Sequence, residues 1–366
     1  MIPVTAGIGR TDVAARHRPA AAEDRHLPGD RVSPGCAASE DLFAQAVGAP
    51  GVLSEFAENV PGNPWRTAVR HSPTVGPRPT LGRVLTRLAW ATATAVRGHD
   101  PDEPLALRAL AARTVSVDVV DWDDPVADWS AYDRVVLRST WDYPDRLGDF
   151  LAWLARVDAV TELCNPLPMV RWNLDKHYLA ELHGAGVPTV ATTFVEPGCP
   201  AVLPAGSFVV KPSIGAASRG VRIHHEDHAD EARRHIEALH AQGSSALVQP
   251  LLHSIAADGE YPVVFLDGRF SHAVVRSVVH GPDGAGRHET SRAHRVDDEQ
   301  LAVARSALEV VTERFGVPTY ARIDLVRDDA RRWCVLEVEV VEPSLFLPDA
   351  DDGAADCLAV TLSTRP

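Results

Sequence analysis

Lysine is almost missing from this chain. Of 36 basic residues, only Lys176 and Lys211 are lysine. A genome rich in G and C favours arginine codons, but that does not say which two lysines survive. Cysteine is also scarce and scattered: Cys36, Cys164, Cys199, Cys334 and Cys357 form no C-x-x-C pair. That excludes a structural zinc site or a disulfide framework and fits a reducing cytoplasm. No apolar run approaches the roughly 18 residues of a membrane span. The start lacks the basic-then-apolar layout of a signal peptide. Positive charge is in deficit, with a net charge of -14, which argues against nucleic acid or an anionic membrane as partner. Neither the P-loop pattern nor G-x-G-x-x-G occurs.

The length of 366 residues suggests two or three domains. Residues 1–82 differ from the rest. They carry ten prolines, and eight arginines balance eight acids, so the whole negative balance lies downstream. Their composition predicts a disordered N-terminal extension. Ordered patterning begins with RLAWATA, a buried strand. EPLALRALAAR reads as a helix, VSVDVVDW and RVVLRST as strands, and RLGDFLAWLARV as another helix. Such alternation predicts a parallel sheet, with ligands beyond the carboxyl ends of its strands. That places Arg138, Ser139, Thr140, Trp141 and Tyr143 at a crevice. Arg138 is expected to bind a substrate carboxylate or to pair with Asp142 or Asp145. Trp141 and Tyr143 read equally as substrate walls or as core.

WNLDKHYLAELHGAG reads as one helix carrying Lys176. TVATTFV, FVVKP and ALVQPLL read as strands and HADEARRHIEALHAQG as a helix, together a small α+β unit. YPVVFLDGRFSHAVVR is a hairpin with an Asp267-Gly268 turn. A helix over DEQLAVARSALEVVTERFG leads to the strands ARIDLVRD and WCVLEVEVV. His224, His225, His228, His235 and His240 lack an enclosing ligand set and read as a solvated surface.

Lys211 follows an apolar strand and precedes SIGAASRG, a loop of small residues whose backbone N–H groups can approach an anion. An ammonium is a compact point charge suited to phosphate, where the arginine fork needs more room. A plain strand followed by a flexible turn remains an equal reading. Glu337 and Glu339 are two apart and share a strand face, with Asp324 on the preceding strand. Three acids in apolar strands need cations. Oxygen-only donors suit Mg²⁺, which takes one or two carboxylates plus phosphates, with Mn²⁺ as an alternative. A half-exposed sheet face gives the same alternation. Glu342 has the opposite parity and belongs to the turn with Pro343. Ser344 contacts substrate or caps that turn.

Taken in order, Lys176, Lys211 with its loop, a strand ending in Gln249-Pro250, Arg276, Asp324 and Glu337-x-Glu339 resemble the ATP-grasp ligases over about residues 83–362. The resemblance implies an α/β ATP-grasp fold: an N-terminal parallel α/β domain (83–170), a small α+β lid (171–248) and a large α+β ATP-binding domain (249–366). It further implies that Lys176 and Lys211 bind ATP phosphates, and that a loop including Ser213, Gly215, Ala216, Ala217 and Ser218 closes over them. Gln249 C=O and Leu251 N–H would bracket adenine, and Glu260 would reach the ribose or substrate. Arg276 would hold the transferred phosphoryl group, with Asp324, Glu337 and Glu339 as Mg²⁺ ligands. Many members have Glu-x-Asn where this chain has Glu-x-Glu, which puts metal number in question. RSTWDY, NPLPMVRWNLDKHYL and VEVVEPSLFL are similar to the O-ureido-serine cyclo-ligase group. The implied chemistry joins a small-molecule carboxylate to an amine through an acyl-phosphate, within one molecule or between two, in antibiotic or amino-acid biosynthesis. Family habit implies a homodimer. A kinase-like phosphoryl transfer and a non-catalytic nucleotide-binding regulator are the competing readings.

Overall fold

The computed structural model describes residues 87–364, apart from Ala217, residues 281–286 and Asp352. The expected extension over 1–82 therefore lies outside the described residues, as does Ala217.

Strand β1 (Arg87–Thr92) is buried on both faces beyond its first residue, as the central strand of a covered parallel sheet must be. Helix α1 (Glu103–Ala112) leads to β2 (Ser116–Asp121), and β3 (Arg134–Ser139) is followed by α2 (Leu147–Asp158) and β4 (Glu162–Cys164). All pairings are parallel, in the order β2-β1-β3-β4. The ends of β1 and β3 lie together, and Thr92 Oγ1 meets Ser139 Oγ at 2.7 Å.

The single helix expected over 172–186 is two. Helix α3 (Leu167–Leu174) stops at Asp175, and α4 (Tyr178–Gly184) starts beyond His177. The break is tertiary in origin: Lys176 N–H donates to Ser213 O at 2.9 Å instead of to its own helix.

The next sheet combines β5 (Thr193–Val195), β6 (Ser207–Pro212), β7 (Arg222–His225) and, after α5 (Ala229–Ala241), β8 (Ala246–Pro250). It is antiparallel, ordered β5-β8-β6-β7. Ala232, Ile236 and Leu239 of α5 bury against Phe208, Val210 and Val248. After the short α6 (His253–Asp258), a five-stranded sheet comprises β9 (Tyr261–Leu266), β10 (Arg269–His280), β11 (Arg287–Ala293), β12 (Tyr320–Arg327) and β13 (Trp333–Glu339), in the order β11-β10-β9-β12-β13. The β9–β10 turn places Asp267 and Gly268 at φ 48° and 70°, the positive values a two-residue primed turn needs. Helix α7 (Asp298–Phe315) opens with a capping box between Asp297 and Gln300 and lays Ala304, Ala307, Leu308 and Val311 on this sheet. Each fully buried large aliphatic side chain in such a layer contributes about 1.5–3 kcal/mol.

The C-terminal helix α8 (Ala354–Ser363) places Leu358, Ala359 and Leu362 in a core shared with Leu88 and Trp90 of β1, Leu110 of α1 and Val264 and Tyr320 of the five-stranded sheet. Asn165, just after β4, donates to Tyr320 O and Val340 O at 2.8 Å each and accepts from Thr319 N–H at 2.6 Å. The parallel sheet is thereby fastened to the strands that carry the acids.

Candidate active site

Strand β13 is an edge strand, with unpaired backbone groups that need partners. Side chains from the 167–184 segment supply them. Asn173 Nδ2 donates to Val338 O at 2.7 Å and its Oδ1 accepts from Val340 N–H at 2.8 Å. The Tyr178 hydroxyl donates to Val338 O at 2.9 Å and accepts from Val338 N–H at 3.0 Å. This grip sets the pleat: Val338 is buried and Glu337 and Glu339 project together from the other face.

In the β12–β13 register Asp324 lies opposite Glu337, and Arg322 opposite Glu339. Carboxylates directly across from each other repel. Two cations answer that repulsion. Lys176 Nζ pairs with Glu337 Oε1 at 2.9 Å and also donates to Gly215 O at 3.0 Å. Arg322 grips Asp324 with Nε and Nη2, both at 2.8 Å, while Nη2 also pairs with Glu339 and Nη1 donates to Ser344 O at 3.1 Å. The break between α3 and α4 is what lets Lys176 reach the acids. It is held by His177, which pairs with Asp175 and Glu196.

Lys211 is different. It is buried, and among the described residues its ammonium has no hydrogen-bond or ion-pair partner. Burial lowers its pKa and neighbouring Lys176 adds to the effect, against the pull of Glu337 and Glu260. Burial works against the Lys176 ammonium too, but Glu337, Glu339 and Glu342 outweigh it and raise its pKa. Burial pushes the carboxyls up; for Glu337 the two lysines more than reverse this. Burial wins at Glu339, where Asp324 and Glu337 add to it. It wins at Glu342 as well, whose pKa is raised to about 8. The patch is thus short of positive charge at one end and of negative charge at the other.

Arg276, on β10, pairs with Glu260, and their backbones bridge each other at 2.8 and 2.7 Å. Glu260 is therefore committed to Arg276, and the expected reach to a ribose or substrate is corrected. Gln249 is buried, and its side chain donates to Thr192 Oγ1 at 2.8 Å. Leu251 N–H donates to Ser207 O at 3.0 Å, so it is not open to a base, and that expectation is corrected as well. Ser213 lies under the loop, its N–H on Ser245 O and its C=O on Lys176 N–H, both at 2.9 Å. The loop turns through Ala216 O, which accepts from Arg219 N–H at 3.1 Å, with Ser218 at φ 57°. It then reaches across: Arg219 pairs with Asp145 at 2.5 Å and donates to Trp141 O.

The crevice residues need the largest correction. Arg138 is 1% exposed, paired with Asp102 at 3.0 Å and packed over the rings of Trp90 and Tyr320. Asp102 also accepts from Leu345 N–H at 2.6 Å and Leu347 N–H at 2.7 Å. Arg138 thus pairs with Asp102 and not with Asp142 or Asp145, and its Nε and Nη1 are buried without a hydrogen-bond partner among the described residues. Ser139 is buried against Thr92, and Thr140 is buried too. Tyr143 is buried and stacks on Phe150 at 5.0 Å. Trp141 Nε1 donates to Glu342 O at 3.2 Å. The histidines are not all solvated, since His224 and His235 are buried and meet at 3.1 Å. A hollow of 320 Å³ at Ser207, Ile223, His224, His225, His228 and Glu231 shares none of the acid-patch residues.

Sequence reasoning missed Arg322, Asn173 and Tyr178, and assigned Glu342 to a turn. Arg322 was visible in principle, because it stands two residues before Asp324 and so shares its strand face. Among the described residues no three His, Cys, Asp or Glu side chains form a ready metal cage. Arg322 bridges Asp324 and Glu339, and Lys176 holds Glu337.

Three sheets in this arrangement, with two lysines and an acid strand meeting beneath a small-residue loop, define an α/β enzyme of the ATP-grasp fold. Residues 88–165 match the family model described as the N-terminal domain of D-cycloserine synthetase DcsG. The chain is 39% identical over 271 residues to the cycloserine biosynthesis protein DcsG of Streptomyces lavendulae, covering 70% of this chain and 91% of that protein. The crystal structure of D-cycloserine synthetase DcsG superposes with a TM-score of 0.71 at 38% identity, over 76% of this chain and 98% of that one. D-alanine–D-alanine ligase of Bacillus anthracis shares the fold, with a TM-score of 0.54 at 13% identity, over 76% and 96%. The chain belongs to the DcsG family of ATP-grasp ligases. It is an ADP-forming carboxylate–amine ligase. No helix among the described residues is long and apolar enough to cross a membrane.

Proposed function

We propose that this ligase closes a ring in a small amino-acid-like molecule by joining its own carboxylate to its own nitrogen. Lys176 and Lys211 take the phosphates of ATP, and the 213–220 loop covers them. The observation that carries this reading is Lys211: a buried ammonium with no partner is a site awaiting an anion. With Leu251 N–H on Ser207 O, the backbone groups that would meet adenine fall one residue beyond those expected, at Pro250 C=O and Leu252 N–H. Asp324, Glu337 and Glu339 fit Mg²⁺. They are hard oxygen donors, Asp324 directly across the strand pair from Glu337 and Glu339 on the same face. Bound there, Mg²⁺ neutralises phosphate charge as it moves.

The substrate carboxylate oxygen attacks the γ-phosphorus, the bond to the bridging oxygen breaks, and ADP leaves. The nitrogen then attacks the acyl carbon, the carbon–oxygen bond to phosphate breaks, and the nitrogen loses a proton. Arg276 and Arg322 lie where negative charge builds. The loop excludes water, which would otherwise hydrolyse the acyl-phosphate. Pairing across the acid patch fixes geometry in advance, and preorganised charge is the larger share of such catalysis.

The test is an ADP-release screen over amino acids and ureido, hydroxamate and peptide acids, followed by product mass. A product lighter than substrate by one water supports ring closure. A product heavier by a phosphoryl group would mean a kinase. Nucleotide binding without substrate-stimulated ADP release would mean a regulator.

A further inference from the structure

Glu342 has no role so far, and its surroundings are unusual. It follows the acid strand, is nine-tenths buried, and its backbone carbonyl is held by the Trp141 indole. Among the described residues no donor sits on its carboxylate. Every other acid of the patch has one: Glu337 has Lys176, Asp324 and Glu339 have Arg322, and Glu260 has Arg276. Lys176 and Arg322 attract the Glu342 carboxylate, and Glu337 and Glu339 repel it. The Tyr143 phenol is close enough to feel its charge more strongly than that of any other acid. The Trp141 indole bond sets Glu342 beside the Trp141–Tyr143 segment, just past the end of the acid strand. A desolvated carboxylate without a donor is costly unless a ligand completes it.

We propose that Glu342 is the subsite for a substrate ammonium, beside Trp141 and just past the strand that carries the acids. This rests on the ligase reading and adds to it a specificity residue, one that recognises a protonated amine. The ammonium comes from one of two sources. It sits on the molecule whose carboxylate is activated, or on a separate amine.

The test uses the full chain with ADP and Mg²⁺ and titrates O-ureido-serine and its desamino analogue, 3-(ureidooxy)propanoate, by calorimetry. D-alanine against propanoate is a second pair, and glycinamide serves as the separate amine. Wild type is expected to bind the ammonium-bearing member of a pair more tightly, by on the order of tenfold or more. Glu342→Gln should erase that preference while leaving the desamino ligands unchanged, and Glu342→Asp should restore part of it. Glycinamide binding that depends on Glu342 would place the ammonium on a second molecule instead. No preference in wild type, or a preference undiminished in Glu342→Gln, overturns the proposal. The ligase reading is read separately, in ADP release and product mass on the same protein.

Discussion

Two buried cationic regions invite comparison. At the ends of β1 and β3, Arg138 is enclosed by Asp102, Trp90 and Tyr320, and Asp102 in turn holds the backbone at Leu345 and Leu347. Beside β13, Lys176 and Arg322 are paired, yet Lys211 and Glu342 lack partners among the described residues. Both regions lie near strand ends and both are rich in charge. What separates them is counter-charge: Arg138 has a carboxylate on its Nη2, although its Nε and Nη1 lack hydrogen-bond partners, while Lys211 and Glu342 have no opposite charge on them among the described residues. A closed charge pair fastens parts of the fold together; an incomplete one waits for a ligand.

The sharpest break of that comparison is Lys211→Ala. Removing the lone ammonium should lower kcat/KM for ATP by on the order of 10³. The urea midpoint should hold or rise, because a desolvated cation without a partner favours the unfolded chain. Lys211→Arg should not restore turnover, since the fork does not fit the space of a compact ammonium. Turnover near wild type in Lys211→Ala would remove the nucleotide assignment.

The complementary break is Asp102→Asn. Here stability should fall by about 3–5 kcal/mol, because Arg138 loses the carboxylate bonded to it and keeps only Asp100 Oδ2 at 4.0 Å. Urea unfolding measures it. Adding Arg138→Met to Asp102→Asn should recover part of the loss. Kinetics of the folded fraction should change far less than in Lys211→Ala. An Asp102→Asn protein of normal stability but no turnover would show that the crevice is catalytic after all.

The same contrast explains what could be read from sequence. Lys211, its loop and the Glu337-x-Glu339 alternation were legible because each is a local pattern within one strand and its turn. The α/β order was legible for the same reason. The Arg138–Asp102 pair was hidden because Asp102 stands 36 residues upstream, and no local spacing announces it. The helix break at Lys176 was hidden because the Ser213 carbonyl makes it from another element. Glu342 was assigned by parity to a turn, yet parity says nothing once the strand has ended at Glu339. Burial there comes from the Trp141 segment, which only the fold brings near.

The mildest prediction concerns the bridge between the two regions. Arg219 leaves the small-residue loop after Lys211 to meet Asp145 and the Trp141 carbonyl, and Trp141 in turn holds the Glu342 carbonyl. On the proposed function, closing this loop over nucleotide would be tied through Trp141 to Glu342. Because Arg219 and Asp145 are largely solvent-exposed, the pair adds little to stability, roughly 0–1 kcal/mol. Its effect should appear in coupling instead. Arg219→Ala should fold normally and still release ADP, but with a several-fold lower ratio of ligated product to ADP, because a looser loop admits water to the acyl-phosphate. Asp145→Asn should produce the same shift more weakly, since the Trp141 carbonyl contact survives. An unchanged product-to-ADP ratio in Arg219→Ala would mean that the loop closes without this contact, and that the two regions work independently.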